Sequence, residues 1–241
     1  MTDLEAIERR VSRRAYLPEP LEPEQVQALE LLARQCSRDA ELNIRLVQDD
    51  PAAFRSLRRS YGMFSGVRHY FAMAGSSADL CLNEKVGYYG EKLVLEATKL
   101  GLGTCWVGGT FDRKRCAVQP AAGEELVCLI VAGKPATGEA AGKERLVYRL
   151  AHRSAKPVEQ MYEAASQPPE WFLEGMWAVQ KAPSGFNRQP VRFTWANGEA
   201  TAQVPDYATH QSIDLGIAKL HFELAAERGQ WGVGNGAAFR R

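Results

Sequence analysis

Two short stretches hold residue types that can do chemistry together. Residues 9–16, R-R-V-S-R-R-A-Y, carry four arginines and a serine in eight positions. The spacing Arg10-x-Ser12-x-Arg14 gathers two guanidinium groups and a hydroxyl near one point if the segment is extended or bent. A guanidinium is a planar fork that pairs bidentately with phosphate oxygens. The stretch is therefore either an anion site or a solvated basic face. Residues 182–190, A-P-S-G-F-N-R-Q-P, form the second stretch. Pro183 cannot continue a helix. Ser184, Gly185 and Asn187 are turn formers that offer polar groups to a neighbour, and Pro190 biases Gln189 to an extended conformation. This is either an ordinary helix–turn–strand connection or a loop that presents those groups to a ligand.

The elements around these stretches are legible from apolar period. Residues 4–10 read as a short helix, 18–23 as a proline-rich connector, and 24–33 as a helix with Val26, Leu29, Leu32 and Ala33 on one face. Residues 36–40 then lead into a strand over 43–47. Asp50-Pro51 starts a short helix to about 57, followed by a glycine-bounded turn over 60–67 and a strand over 69–74. A long helix spans 79–100, its broad face made of Val86, Tyr89, Leu93, Leu95, Ala97 and Leu100. It stops at Gly101-Leu102-Gly103. Residues 104–107 form a short buried strand, after which Gly108-Gly109 lets the backbone approach something closely. The apolar run within 125–132 reads as a strand buried on both faces. Residues 136–144 read as a mobile surface loop. A helix before Pro183, strands over 191–195 and 200–204, and a second long helix over 212–228 complete the order. Gly232 to Gly236 reads as a flexible tail. Tyr61, Phe64, Phe111 and Phe186 are either core aromatics or the lining of a pocket.

Composition narrows the class. With 45% hydrophobic and 24% charged residues, 241 residues can bury a large core. A net charge of +1 gives no reason to expect nucleic acid or an anionic membrane as partner. No apolar run approaches the roughly 20 residues a bilayer needs, and residues 1–14 lack the apolar region of a signal peptide. Five cysteines without a C-x-x-C pair argue against a disulfide framework or a zinc knuckle. Reduced thiols in the cytoplasm are expected. The four histidines show no ligand spacing, so no metal is expected.

Both chemical stretches resemble the FMN-dependent nitroreductase family. A-P-S-x-x-N-x-Q-P before a strand resembles its flavin-contacting loop. A short helix followed by R-x-S-x-[RK]-x-[FY] resembles its flavin grip, matched here by Arg10, Ser12, Arg14 and Tyr16. The resemblance implies an α+β, three-layer α-β-α fold and FMN as cofactor. Arg10 and Ser12 would hold the phosphate. Arg14 would lie near the flavin's pyrimidine edge, where a fixed cation favours the charge that reduced flavin gathers. The order long helix, G-L-G-T-x-W, glycines makes Gly108 and Gly109 candidates for a backbone contact to flavin N5. Tyr61 would wall the flavin. In residues 152–159, H-R-S-A-K-P-V-E, Arg153 and Lys156 either complete the phosphate site or form a solvated basic turn. Pro183, Ser184, Asn187 and Gln189 are the loop's cofactor-binding candidates.

The order of motifs departs from the family's. The A-P-S loop normally follows the helix matched here by 24–33, whereas here residues 36–40 stand in that place and the loop comes late in the chain. A faint repeat, K-L-x-[LF]-E at 92–96 and 219–223, suggests two fused nitroreductase-like halves. These are 1–165 and a shorter 166–241, a pseudo-dimer in one chain in which each half gives half of a single FMN site. Fusion allows a monomer. The implied activity takes hydride from NAD(P)H and passes electrons to a nitroaromatic, quinone or other small aromatic acceptor, with no catalytic side chain required. Alternatives are a related flavin-dependent dehalogenase or flavin-destroying enzyme, and a non-catalytic flavin sensor.

Overall fold

A computed structural model describes residues 1–55, 63–142 and 154–241. The expected flavin wall at Tyr61, the phosphate candidate Arg153, the end of the helix begun at Pro51 and part of the glycine-bounded turn lie outside the described residues. By backbone contacts the chain divides into two units. The first comprises Met1–Glu8, Cys81–Lys92 and Arg153–Arg241; the second comprises Arg9–Leu80 and Leu93–His152. The division interleaves segments of the two sequence halves.

The second unit is built on a four-stranded sheet. Helix α2 (Pro23–Ala40) starts with Pro at its first turn, and Gln25 Oε1 accepts the Glu22 N–H at 3.0 Å. It ends on Glu41, whose left-handed φ of 57° turns the chain directly into β1 (Leu42–Val47). The helix thus runs past 33 and through residues 36–40. Cys36 and Ala40 carry its buried stripe on from Leu29 and Ala33. β2 (His69–Ser76), β3 (Gly103–Val107) and β4 (Glu124–Gly133) complete an antiparallel sheet of order β1-β2-β4-β3. β4 has eight consecutive buried residues, as an apolar run without alternation requires. The residues after Pro51 form a 3-10 turn at Ala52–Phe54, not a longer helix begun at Asp50. The expected loop over 136–144 contains a 3-10 turn at Gly138–Ala141, and its residues 143 and 144 lie outside the described residues.

The first unit pairs a five-stranded sheet with helices. α1 (Asp3–Arg9) gives it residues 3–8. α3 (Leu82–Lys99) gives it residues 82–92 and gives 93–99 to the second unit. α4 (Glu170–Lys181) starts after Pro169. β5 (Tyr162–Ala164) pairs parallel with β6 (Arg192–Ala196). Asn197 and Gly198, both at positive φ, turn β6 back into β7 (Glu199–Gln203). α5 (Gln211–Ala225) follows, then β8 (Gln230–Trp231) and β9 (Ala238–Arg240), in the sheet order β5-β6-β7-β9-β8. One sheet face packs Phe193, Trp195 and Phe239 against Phe172 and Phe222 of α4 and α5.

Residues 232–236 are not a tail. Lys219 on α5, 1% exposed, donates to the Gly232 and Gly234 carbonyls at 3.0 and 2.9 Å and pairs with Glu84 on α3 at 2.6 Å. Glu84 in turn accepts the Gly234 N–H and the Tyr207 hydroxyl. A buried ammonium with all three donors satisfied fixes this glycine-rich turn between β8 and β9. A second buried pair, His221 with Glu91 at 3.0 Å, lies on the same two helices.

α3 and α5 meet through glycine, and they do so reciprocally. A side-chain carbon at Gly87 would overlap the Ile213 carbonyl, and one at Gly216 would overlap the Glu84 carbonyl. Gly216 follows Ile213 by three positions, as Gly87 follows Glu84. Each helix presents its glycine to the same relative carbonyl of the other, which is the signature of two-fold pairing.

Candidate functional site

The arginine segment lies in the second unit as an extended strip. Arg13 N–H donates to Thr104 O at 2.8 Å, and Ser12 bridges Thr104 on β3. Further along, Tyr16 N–H donates to Ser65 O, Ser65 N–H to Arg14 O, and Ala136 N–H to Ala15 O. Tyr16 packs its ring over Gly133 in the core, and its hydroxyl donates to Arg13 O at 2.6 Å. The spacing thus has a backbone reason: the strip is stitched on both sides, so its alternate side chains cannot wander. Arg10 Nη1 donates to Ser12 Oγ at 3.4 Å, which brings together the first two members of the expected anion site. Arg14 is half-buried on the same strip.

Gly108 and Gly109 follow β3 in the same unit. Both are exposed, and a side-chain carbon at either would meet nothing. Among the described residues, no close approach of the chain's own atoms explains the glycines. Phe111 is buried in the core and Phe64 packs edge-on to Phe54 at 5.5 Å, so both are core aromatics.

The loop over 182–190 lies in the first unit and is pinned from beneath. Gln189 is 3% exposed. Its Oε1 accepts the Lys156 N–H at 2.7 Å, its Nε2 donates to Gln180 O at 3.1 Å, and its own N–H donates to Ser184 Oγ at 2.9 Å. Lys156 Nζ donates to Gln189 O at 2.9 Å, and Gln180 Nε2 closes the knot on Lys156 O. Lys156 and Gln189, two separate sequence candidates, therefore form one structural cluster. Burial lowers the pKa of Lys156, and the Arg192 cation adds to the effect.

Above this knot the backbone is strained. Phe186, Asn187 and Gln189 have φ of 53°, 50° and 46°. Left-handed backbone costs a non-glycine residue roughly 1–2 kcal/mol. Such strain persists only where the surroundings over-determine it, and it clusters at functional sites. Phe186 is 77% exposed, with the Arg188 guanidinium 5.6 Å over its ring, so neither burial nor the fold's core accounts for it.

Sequence reasoning missed one group. Asp214, in the first turn of α5, accepts the Gly185 N–H at 3.0 Å. An Asp there reads as an ordinary complement to the helix dipole, and nothing in the loop signals the contact. No cluster of three or more metal-ligating side chains exists among the described residues. No helix among them is long and apolar enough to cross a membrane.

A structure from Thermotoga maritima titled a "putative nitroreductase" matches with a TM-score of 0.61 at 22% identity, over 99% of this chain and 92% of that one. A "Putative NADH dehydrogenase/NAD(P)H nitroreductase" from Bacteroides thetaiotaomicron matches at 22% identity and TM-score 0.45, over 57% of this chain and 88% of that one. An FMN-dependent nitroreductase from Clostridium difficile R20291 matches at 17% identity and TM-score 0.46, over 63% and 98%. A search of curated proteins returns no match. The family described as "Putative TM nitroreductase" matches residues 3–226, nearly the whole chain. With its α+β architecture, the chain belongs to this nitroreductase family.

Proposed function

We propose that the chain is an FMN-dependent oxidoreductase that takes hydride from NAD(P)H and passes electrons to a nitroaromatic, quinone or similar small aromatic acceptor. The observation that carries this reading is the strained loop: three left-handed non-glycine residues sit in the family's A-P-S-x-x-N-x-Q-P motif and are held there by a buried knot. The residues fit a flavin. Arg10 and Ser12 meet and offer a phosphate grip. Arg14 supplies the cation for the pyrimidine edge. Gly108 and Gly109 leave open space along a backbone edge. Pro183, Ser184 and Asn187 form the rim of the pinned loop. Gln189 and Lys156 act from beneath, as supports for that rim. Bound FMN supplies the hydride and electron chemistry; the chain binds, orients and tunes it without an acid or base of its own.

The reciprocal glycine contacts support the fused-halves reading, 1–165 with 166–241. In that reading they imply a register. Gly87 corresponds to Gly216, so Lys92 corresponds to His221, and the K-L-x-[LF]-E match, which equates Lys92 with Lys219, is two positions out. In this reading one half gives the arginine strip and the other the loop, and one FMN site forms per chain. A monomer suffices, and reduced thiols suit a cytoplasmic setting.

The test is an absorbance spectrum of the purified protein before and after anaerobic NADPH or NADH. Flavin bands that bleach, and recover with a quinone or nitroaromatic, support the reading. Bound flavin that neither nucleotide reduces would leave a non-catalytic flavin protein. A protein that stays colourless after FMN is added would overturn the cofactor assignment.

A further inference from the structure

One carboxylate in the first unit accepts a hydrogen bond from the motif loop and has no ion-pair partner among the described residues. Asp214 Oδ1 accepts the Gly185 N–H at 3.0 Å, next to the left-handed residues at 186 and 187. A side-chain carbon at Gly185 would lie 3.7 Å from Oδ2, an ordinary contact, so the approach does not depend on the glycine. Burial pushes the carboxyl up to about 7, and the Gly185 amide only partly opposes it. The charged groups on the surrounding elements are otherwise engaged or lie at the surface. Arg188 in the loop sits over Phe186, Lys181 on α4 pairs with Glu8 at 3.3 Å, Glu84 on α3 pairs with Lys219, and Lys156 bonds Gln189 O. His210 caps α5 from the exposed side. Among the described residues, none makes an ion pair with Asp214.

The second half's counterpart in the first half differs in kind. The reciprocal contacts equate Ile213 with Glu84, so Asp214 corresponds to Lys85. A lysine ammonium has three donors and no acceptor, so it cannot receive an amide N–H. In that half the helix α2 passes into β1 through Glu41 alone, with no loop to hold. The acceptor is present where the loop is present.

We propose that Asp214 is a positioning residue that holds the motif loop in its flavin-contacting form through the Gly185 N–H, firmly when the carboxylate is charged and loosely when it is protonated. This rests on the flavin reading above. A charge-assisted hydrogen bond is roughly twice as strong as a neutral one. Protonation near neutral pH therefore weakens the pin, and flavin affinity falls as the pH falls.

Two measurements test it. In the FMN-free full chain, the Gly185 amide resonance is followed by NMR from pH 5 to 9. It should titrate with a midpoint near 7 in the wild type and stay flat in Asp214→Asn, whose amide oxygen still accepts but carries no charge. FMN dissociation constants are then measured by fluorescence at pH 6 and 8. The wild-type ratio of the two should exceed the Asp214→Asn ratio by about three- to tenfold, the scale of one such bond; comparison with the variant cancels titration of the FMN phosphate itself. A Gly185 amide that ignores pH, or equal ratios in the two proteins, would overturn the proposal. If wild type takes up no FMN at any pH, the flavin reading falls and the role in flavin binding falls with it. The amide titration needs no variant to fold and decides the Asp214 contact separately.

Discussion

The two helix-to-strand junctions of this chain solve the same problem differently. α2 ends at Ala40 and β1 begins at Leu42, with Glu41 alone between them in the left-handed region. α4 ends at Lys181 and β6 begins only at Arg192. Reversing direction needs one left-handed residue. The later junction uses three, keeps an aromatic ring in solvent, and holds them with a buried glutamine, a half-buried lysine and a half-buried carboxylate. The earlier junction reverses the chain without any of these, so the difference between the junctions is what the proposed flavin role has to account for.

The largest expected effect comes from breaking the support of the longer junction. Gln189→Ala strands the Lys156 N–H and the Gln180 carbonyl and should cost about 3 kcal/mol of stability by denaturant unfolding. FMN retention on gel filtration should be lost with it. A protein that keeps both would show that the knot is not what holds the loop.

Next is Asp214. Its folded value, raised from 3.8 to about 7, means that its contribution to stability is fully present below about pH 4 and is lost as the pH rises through 7. Asp214→Asn should therefore raise stability at pH 8 by about 2 kcal/mol, with ~4 kcal/mol as the ceiling set by the shift. The gain should vanish towards pH 4. Unfolding curves at both values check the sign; a gain at pH 4 alone would contradict it.

Smaller effects separate the two junctions directly. Phe186→Gly relieves left-handed backbone and should raise stability by ~1 kcal/mol while weakening FMN binding. Glu41→Gly should raise stability by ~0.5–1 kcal/mol with FMN binding unchanged, because only a turn is relieved. If Phe186→Gly also left flavin affinity untouched, the strain at 186 would have no functional counterpart.

How far the sequence could be read follows from the range of the interactions. The long helix expected over 79–100 and found at Leu82–Lys99, and β4 with its unbroken apolar run, rest on local period. So does the family motif, which is a string of local backbone preferences. The last turns of α2 were legible in principle, since Cys36 and Ala40 continue the spacing of Leu29 and Ala33, but Ser37, Arg38 and Asp39 masked the stripe. Residues 232–236 were not legible. Glycines alone signal flexibility, and what orders them is Lys219 and Glu84, brought in by other helices. At the site, Arg10, Ser12 and the loop were visible as motifs. The knot that joins Lys156 to Gln189, and Asp214 under Gly185, are long-range contacts with no sequence period to announce them.

The strand order of the five-stranded sheet bears on how the molecule is made. β9, the last of its strands to be synthesised, lies between β7 and β8. Without β9, β8 has no strand of this sheet to pair with and the aromatic face around Phe222 lacks Phe239. This sheet therefore closes only when β9 docks, and a chain clipped before residue 238 would leave an open, aromatic-backed edge at β7.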